Sequence, residues 1–353
     1  MQTVLRALNI GLILAGTFLV AGMIARARSE ATPEGASISR SEYVLVNGAK
    51  LYLLTRGANR RAPVLLWLHG GPGGAERPLF RYFNSGLETH FVVVYWDQRG
   101  AGRSFDPEAD ARRLTVKQHI ADLDAVVDHL RRSLGREKIV LIGHSWGTAL
   151  GLLYARDHPD TVSAFIGVNQ LVSMRESQRA EYEFVQAEAS RRHENDVLLH
   201  LREIGPPPFI TVDHEQAIEA LADRYGGVFH KEPNRVWVMV RGVFSGLVTP
   251  SEIARIHRGI HVSLEAMSAE LLDLDLMRSV RSVDVPVLFF LGRYDRHVDS
   301  HLAAAYFEAL HAPFKQVIWF EQSGHNVPFE EARLFNDTVV RELQSIGIQP
   351  LMQ

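Results

Sequence analysis

Eight short apolar runs, "YVLV", "KLYLLT", "PVLLWLH", "FVVVYW", "KIVLIG", "VSAFIGV", "PVLFFLG" and "KQVIWF", punctuate the chain between Tyr43 and Phe320. Their length and their wealth of valine, isoleucine and aromatic residues are those of β-strands. Several have no polar face at all. A strand tolerates that only inside a sheet covered on both sides, which means a parallel sheet flanked by helices.

Helical patterns separate the runs. In "TVKQHIADLDAVVDHLRRSLG", Ile120, Leu123, Val127, Leu130 and Leu134 recur at three- and four-residue spacing, Thr115 and Gln118 form a capping-box pattern, and Gly135 suits the C-terminal end. Strand and helix in alternation predict an α/β fold with a mostly parallel sheet. From Leu171 to Val283 the alternation lapses into charged, helix-patterned sequence such as "SQRAEYEFVQAEASRRHENDVLLHLREI". This stretch is expected to be a helical insertion between two core strands, placed as a cap over whatever site the sheet carries.

At 353 residues and 46% hydrophobic, the chain can bury a large core as one enlarged domain. A net charge of -3 offers nucleic acid no electrostatic attraction, so that class of partner is excluded. The absence of cysteine excludes disulfides, thiolate nucleophiles and cysteine-ligated metals.

Ala7 to Ile24, "ALNIGLILAGTFLVAGMI", carries no charge and lies between Arg6 and the pair Arg26 and Arg28. About 18 apolar residues is the lower limit for a membrane-spanning helix and exceeds a signal-peptide core. An uncleaved anchor is the expectation. The alternative is a cleaved signal peptide, with "ARA" at Ala25 to Ala27 as its cleavage site. Either outcome puts the body outside the cytoplasm, in the periplasm of a bacterium, although arginines at both ends leave the orientation open. The expected divisions are residues 1–28 as anchor or signal, 29–42 as linker, 43–170 as the first part of the core, 171–283 as the cap and 284–353 as the second part of the core.

Within "IVLIGHSWGTALGLLYA", only Gly143-His144-Ser145-Trp146-Gly147 separates a strand from a helix. The pattern G-x-S-x-G forms a nucleophile elbow, a turn so tight that the serine is strained and flanking side chains would strike neighbouring backbone. Such a turn lifts the hydroxyl clear of the sheet and aims the first helical N–H groups at the same point. A serine hydroxyl needs a base, and the base needs an orienting acid. "PVLFFLGRYDRHVD" puts Asp295 after one strand and "KQVIWFEQSGHNVPF" puts His325 after the next, in the order that this chemistry uses on such a sheet. Asp299 is the rival acid but fits the N-cap of the helix beginning "SHLAAAYFEAL". His297 and His301, at i, i+4, lack a third metal ligand nearby and are expected to be solvated surface residues; no metal site is expected.

The glycine-rich "HGGPGG", His69 to Gly74, also follows a strand. Its backbone can approach a carbonyl oxygen, and the expected oxyanion hole pairs the N–H of Gly71 with that of Trp146. A dinucleotide turn is the competing reading, but Glu76 would fall where the third glycine is needed and Pro72 interrupts the turn, so no cofactor is expected. "WDQRGAGRS", Trp96 to Ser104, either shapes the rim of the site or is a loop organised by a hydrogen bond from an arginine to Asp97.

Together, "HGGPGG", "DQRGAGRS", "GHSWGT", "GRYD" and "SGHNVPFEE" resemble the α/β-hydrolase superfamily, and within it the proline iminopeptidase (prolyl aminopeptidase) family, over roughly Tyr43 to Leu343. The resemblance implies an eight-stranded core with a helical cap and gives Ser145, Asp295 and His325 the roles of nucleophile, acid and base. Two departures stand out. His144 replaces the glycine usual before the nucleophile, a substitution common in esterase-like relatives, and no cap motif aligns with the glutamates that hold a substrate's free amine. Glu181, Glu183, Glu188, Glu203, Glu232 and Glu265 are available for that role, and at least one buried carboxylate is required.

The expected activity is release of an N-terminal residue, proline foremost, from small peptides through an acyl-enzyme. The alternative is an esterase, lactonase or amidase acting on a small neutral acyl substrate. A tethered binding protein without catalysis would show an eroded serine, acid, histidine or oxyanion position, and none is eroded.

Overall fold

The computed structural model describes residues 37–230, 238 and 248–349. The apolar N-terminal segment expected to be an anchor or signal lies outside the described residues, as does Glu232. Among the described residues, no helix is long and apolar enough to cross a membrane.

All eight predicted runs are strands: β1 (Ile38–Val46), β2 (Ala49–Gly57), β3 (Val64–Leu68), β4 (Val92–Asp97), β5 (Ile139–His144), β6 (Val162–Val168), β7 (Val287–Gly292) and β8 (Lys315–Phe320). They form one sheet in the order β1-β2-β4-β3-β5-β6-β7-β8. β2 runs antiparallel to both of its neighbours, and every pairing from β3 to β8 is parallel. β1 begins at Ile38, inside the stretch expected to be linker, because Ile38 to Glu42 pair with β2 residues Leu53 to Gly57.

The described helices are α1 (Arg77–Asn84), α2 (Val116–Leu134), α3 (Trp146–Asp157), α4 (Met174–Arg191), α5 (Asn195–Ile204), α6 (Val212–Arg224), α7 (Pro250–Leu272), α8 (Leu276–Ser279), α9 (Ser300–Ala309), α10 (Val327–Glu330) and α11 (Ala332–Ser345). β3, β4, β5 and β7 are buried along their whole length, as sequences without a polar face demand. One face of the sheet packs on α2, α3 and α9 through Leu123, Val127, Leu150 and Ala303. The other packs on α1 and α11 through Phe80, Phe335 and Val339. This is the α/β-hydrolase fold, with α4 to α8 inserted between β6 and β7.

Local signals set several of these boundaries. Thr115 caps α2 by accepting from the Gln118 amide at 3.0 Å, while the Gln118 side chain turns away to Asp122, so half of the expected capping box forms. Gly135 closes the same helix in the left-handed conformation, φ 63°. Asp299 caps α9 through the amides of His301 and Leu302, the role that sets it apart from Asp295. Ser145, Asp295, His325 and the His69 to Gly74 loop follow β5, β7, β8 and β3, so the parallel sheet delivers all four to its C-terminal edge.

Candidate active site

Ser145 sits between β5 and α3 with φ 53° and ψ -121°, a conformation that costs a non-glycine residue about 1–3 kcal/mol. The glycines around it are there for space. A Cβ on Gly143 would lie 2.4 Å from the Gly147 carbonyl oxygen, and one on Gly147 would lie 2.0 Å from that of Leu68. The elbow is thereby pressed onto the end of β3. The loop that follows β3 passes directly beside the serine, since a Cβ on Gly70 would stand 3.2 Å from the Ser145 Cβ. Gly71 is next along that loop, and Trp146 opens α3, so one predicted oxyanion donor adjoins Gly70, the residue beside Ser145, and the other adjoins Ser145 itself.

His325 Nδ1 donates to Asp295 Oδ2 at 2.9 Å. Asp295 Oδ1 accepts the amides of His297 and Val298, so the carboxylate is held at both oxygens. Burial pushes the Asp295 carboxyl up, but the His325 and His297 imidazoles and the Val298 amide outweigh it and hold it below the usual carboxylate range. Burial lowers His325 more than Asp295 raises it, so the imidazole is neutral at neutral pH. With Nδ1 committed to the acid, Nε2 is left as the basic nitrogen. The His325 ring lies 4.8 Å, centroid to centroid, from His144, the residue adjoining Ser145.

The backbone around His325 is tied down completely. The His325 amide donates to the Val228 carbonyl at 2.7 Å, and its own carbonyl accepts from Asn169 Nδ2 and His144 Nε2. Asn169 also holds the Gly324 carbonyl and, through Oδ1, the Gly292 amide at the end of β7. His144 is therefore more than a tolerated departure from glycine. Its Nδ1 reaches Glu76 Oε1 at 2.7 Å, so one side chain joins the β3 loop to the histidine loop. Burial opposes charge on His144, but Glu76 overrides it and raises the imidazole's pKa.

Gln98 does the corresponding work between the β3 loop and α3. Its amide groups engage both the His69 carbonyl and the Trp146 indole, and its backbone N–H donates to His69 Nε2 at 3.0 Å. Asp97 accepts from Arg77 Nε at 3.1 Å and from the Arg103 amide, so the arginine side chain organising this loop comes from α1. Arg103 continues to Glu252 on α7, which stitches the loop to the insertion.

His297 differs from expectation. It is paired with the buried Glu181 at 2.9 Å and lies edge-on to His325, with ring centroids 4.8 Å apart; His301 is exposed as expected. Among the described residues, no group of acidic residues and histidines could hold a metal ion. Glu215 and Glu219 of α6 face the same pair electrostatically. Burial pushes Glu181 up to about 7, and despite burial the neighbouring glutamates and Asp295 raise His297 to about 10. Of the other glutamates considered, Glu183, Glu203 and Glu265 are exposed, and Glu188 pairs with Arg191 and Arg192.

A strained serine on a glycine-bounded elbow, a neutral histidine fixed by a buried aspartate and a glycine loop beside the hydroxyl define a serine hydrolase. Residues 63–196 match the family described as alpha/beta hydrolase fold. The chain is 30% identical over 316 residues to a probable aminopeptidase, YbaC, of Bacillus subtilis, covering 88% of this chain and 98% of that one. It is 26% identical to the proline iminopeptidase of Saccharolobus solfataricus, over 85% of this chain and 91% of the other. The fold is also that of the proline iminopeptidase of Mycobacterium smegmatis, with a TM-score of 0.64 at 21% identity over 88% of this chain and 98% of that one. The chain belongs to the α/β-hydrolase family, in its proline iminopeptidase-like branch.

Proposed function

We propose that the protein is an aminopeptidase that releases an N-terminal residue, proline foremost, from small peptides admitted beneath a cap formed by residues 171–283. Nε2 of His325 takes the Ser145 proton as Oγ attacks the scissile carbonyl, and Asp295 stabilises the imidazolium. The Gly71 and Trp146 amides receive the oxyanion, an interaction worth about 10²–10³ in kcat for each donor. His325 then protonates the departing amine, and water repeats the cycle on the acyl-enzyme.

One observation carries the choice of substrate: three glutamates, Glu181, Glu215 and Glu219, gather around the single cation of His297 beside the base. The carboxylates outnumber the imidazole they surround. A neutral acyl substrate has no use for them, whereas a substrate ammonium leaving water requires carboxylates to receive it. The names of the relatives point the same way.

The test is hydrolysis of a proline arylamide, its N-acetylated analogue and a short-chain aryl ester, with Ser145→Ala as control. Turnover confined to the free amine and lost in the variant is expected; preference for the ester, or indifference to acetylation, would leave an esterase or amidase. The apolar segment Ala7–Ile24 favours a body held outside the cytoplasm, which protease protection of intact cells or spheroplasts would check.

A further inference from the structure

Glu330, at the end of α10, is not part of the serine, histidine and aspartate arrangement, yet its carboxylate straddles the base. Oε1 accepts the amides of Gly324 and Asn326, the two neighbours of His325, at 2.9 and 3.2 Å. Oε2 accepts the amide of His230, in the insertion, at 2.7 Å. The same stretch of insertion is stitched to both loops of the site: the Val228 carbonyl accepts the His325 amide, and the Gly227 carbonyl accepts the Arg296 amide next to Asp295.

We propose that Glu330 is a positioning residue, whose ionised carboxylate fixes the histidine loop and the 227–230 segment of the insertion in the single arrangement that directs His325 Nε2 at Ser145. The proposal rests on the reading of Ser145, Asp295 and His325 as the reacting groups. Three amide donors need two full acceptors, and only the carboxylate provides them without a hydroxyl proton of its own.

The charged surroundings make that ionisation conditional. Burial pushes Glu330 up to about 7, with the negative charge of Asp295 adding to it and the three amides working against it. The residues on both sides of His325 reach it from the histidine loop and His230 reaches it from the insertion, all through backbone amides, with the His230 ring stacked on Tyr294. Glu331, next along its own segment, is committed to the Gln322 amide and the Ser323 hydroxyl.

Two opposite pH dependences follow. Ionisation of Glu330 tightens the loop, so reactivity of Ser145 rises through a limb near 7. Its folded pKa lies above the ordinary carboxylate value, so its contribution to stability is present below 4.5 and is lost as pH rises through about 7. A merely structural carboxylate would move stability alone.

The experiment is the rate of fluorophosphonate labelling of the purified protein as a function of pH, with thermal unfolding measured alongside, for the native chain, Glu330→Gln and Glu330→Ala. Glu330→Gln keeps one acceptor oxygen and should label about 10-fold more slowly, without the limb near 7, leaving only the lower limb of His325. Glu330→Ala frees both loops and should lose about 10²-fold, the cost of misplacing a reacting group by an ångström. KM for the arylamide should change little. If Glu330→Ala does not fold, the isosteric Gln variant decides alone. Native labelling rate and native pH profile in Glu330→Gln would overturn the proposal. Absence of labelling in the native protein would instead remove the serine-hydrolase reading on which the proposal stands.

Discussion

At the scale of single residues, the site is governed by space and by charge placed next to charge. No side chain fits at Gly147, so Gly147→Ala should destabilise the protein by about 3 kcal/mol in denaturant unfolding, and activity should fall with it as the elbow is pushed off β3. His144 invites a subtler test. Its folded pKa is raised above 6.5, so the stability it contributes is complete below that value and is lost as pH rises through the folded pKa. Glu76→Gln should flatten this slope in pH-dependent melting and reduce kcat by about 10-fold, because the β3 loop loses its tie to the histidine loop. The serine, acid and histidine were legible in the sequence because each follows an apolar run of strand length and each sits in a short turn. Glu76 was legible only as an obstacle to a dinucleotide, since nothing local announces a partner 68 positions away.

At the scale of elements, α4 shows what periodicity conceals. Its buried stripe is Ser177, Glu181, Val185 and Ala189, an unbroken four-residue spacing that changes from polar to apolar along the helix. Val185 and Ala189 mark the face, and counting back by four reaches Glu181. Which of the six candidate glutamates is buried was not legible, because the partner that buries Glu181, His297, lies 116 residues on. Glu215 and Glu219 occupy one face of α6 at i, i+4, where they address the same histidine. Glu215→Gln and Glu219→Gln together should raise KM for the free-amine substrate by about 10-fold or more, with fluorophosphonate labelling unchanged. Equal loss in both assays would assign these residues to the fold instead.

At the scale of the whole molecule, the mostly parallel sheet covered by helices followed from the composition and spacing of the runs, because a sheet without polar faces has few ways to be covered. The attachment of the insertion to the two loops after β7 and β8 did not, because much of it rests on hydrogen bonds of main-chain groups, the carbonyls of Gly227 and Val228 and the amide of His230, which no side-chain pattern encodes. Those bonds make the insertion and the two loops after β7 and β8 one mechanical unit. Amide hydrogen exchange should show Arg296, His230 and His325 exchanging together, and faster than Leu141 and Ile142 in the middle of β5.

The groups proposed to react are spread along the chain in an order with a temporal meaning. Ser145 and the glycine loop beside it precede the insertion, whereas Asp295, His325 and Glu330 all follow it. A ribosome therefore delivers the hydroxyl roughly 180 residues before the last of the groups that hold its base, and at the usual pace of synthesis that gap lasts on the order of 10 seconds. Throughout that interval the nascent polypeptide carries the serine without its proposed proton acceptor, and hydrolytic power arrives only after β7, β8 and the loops behind them have been made.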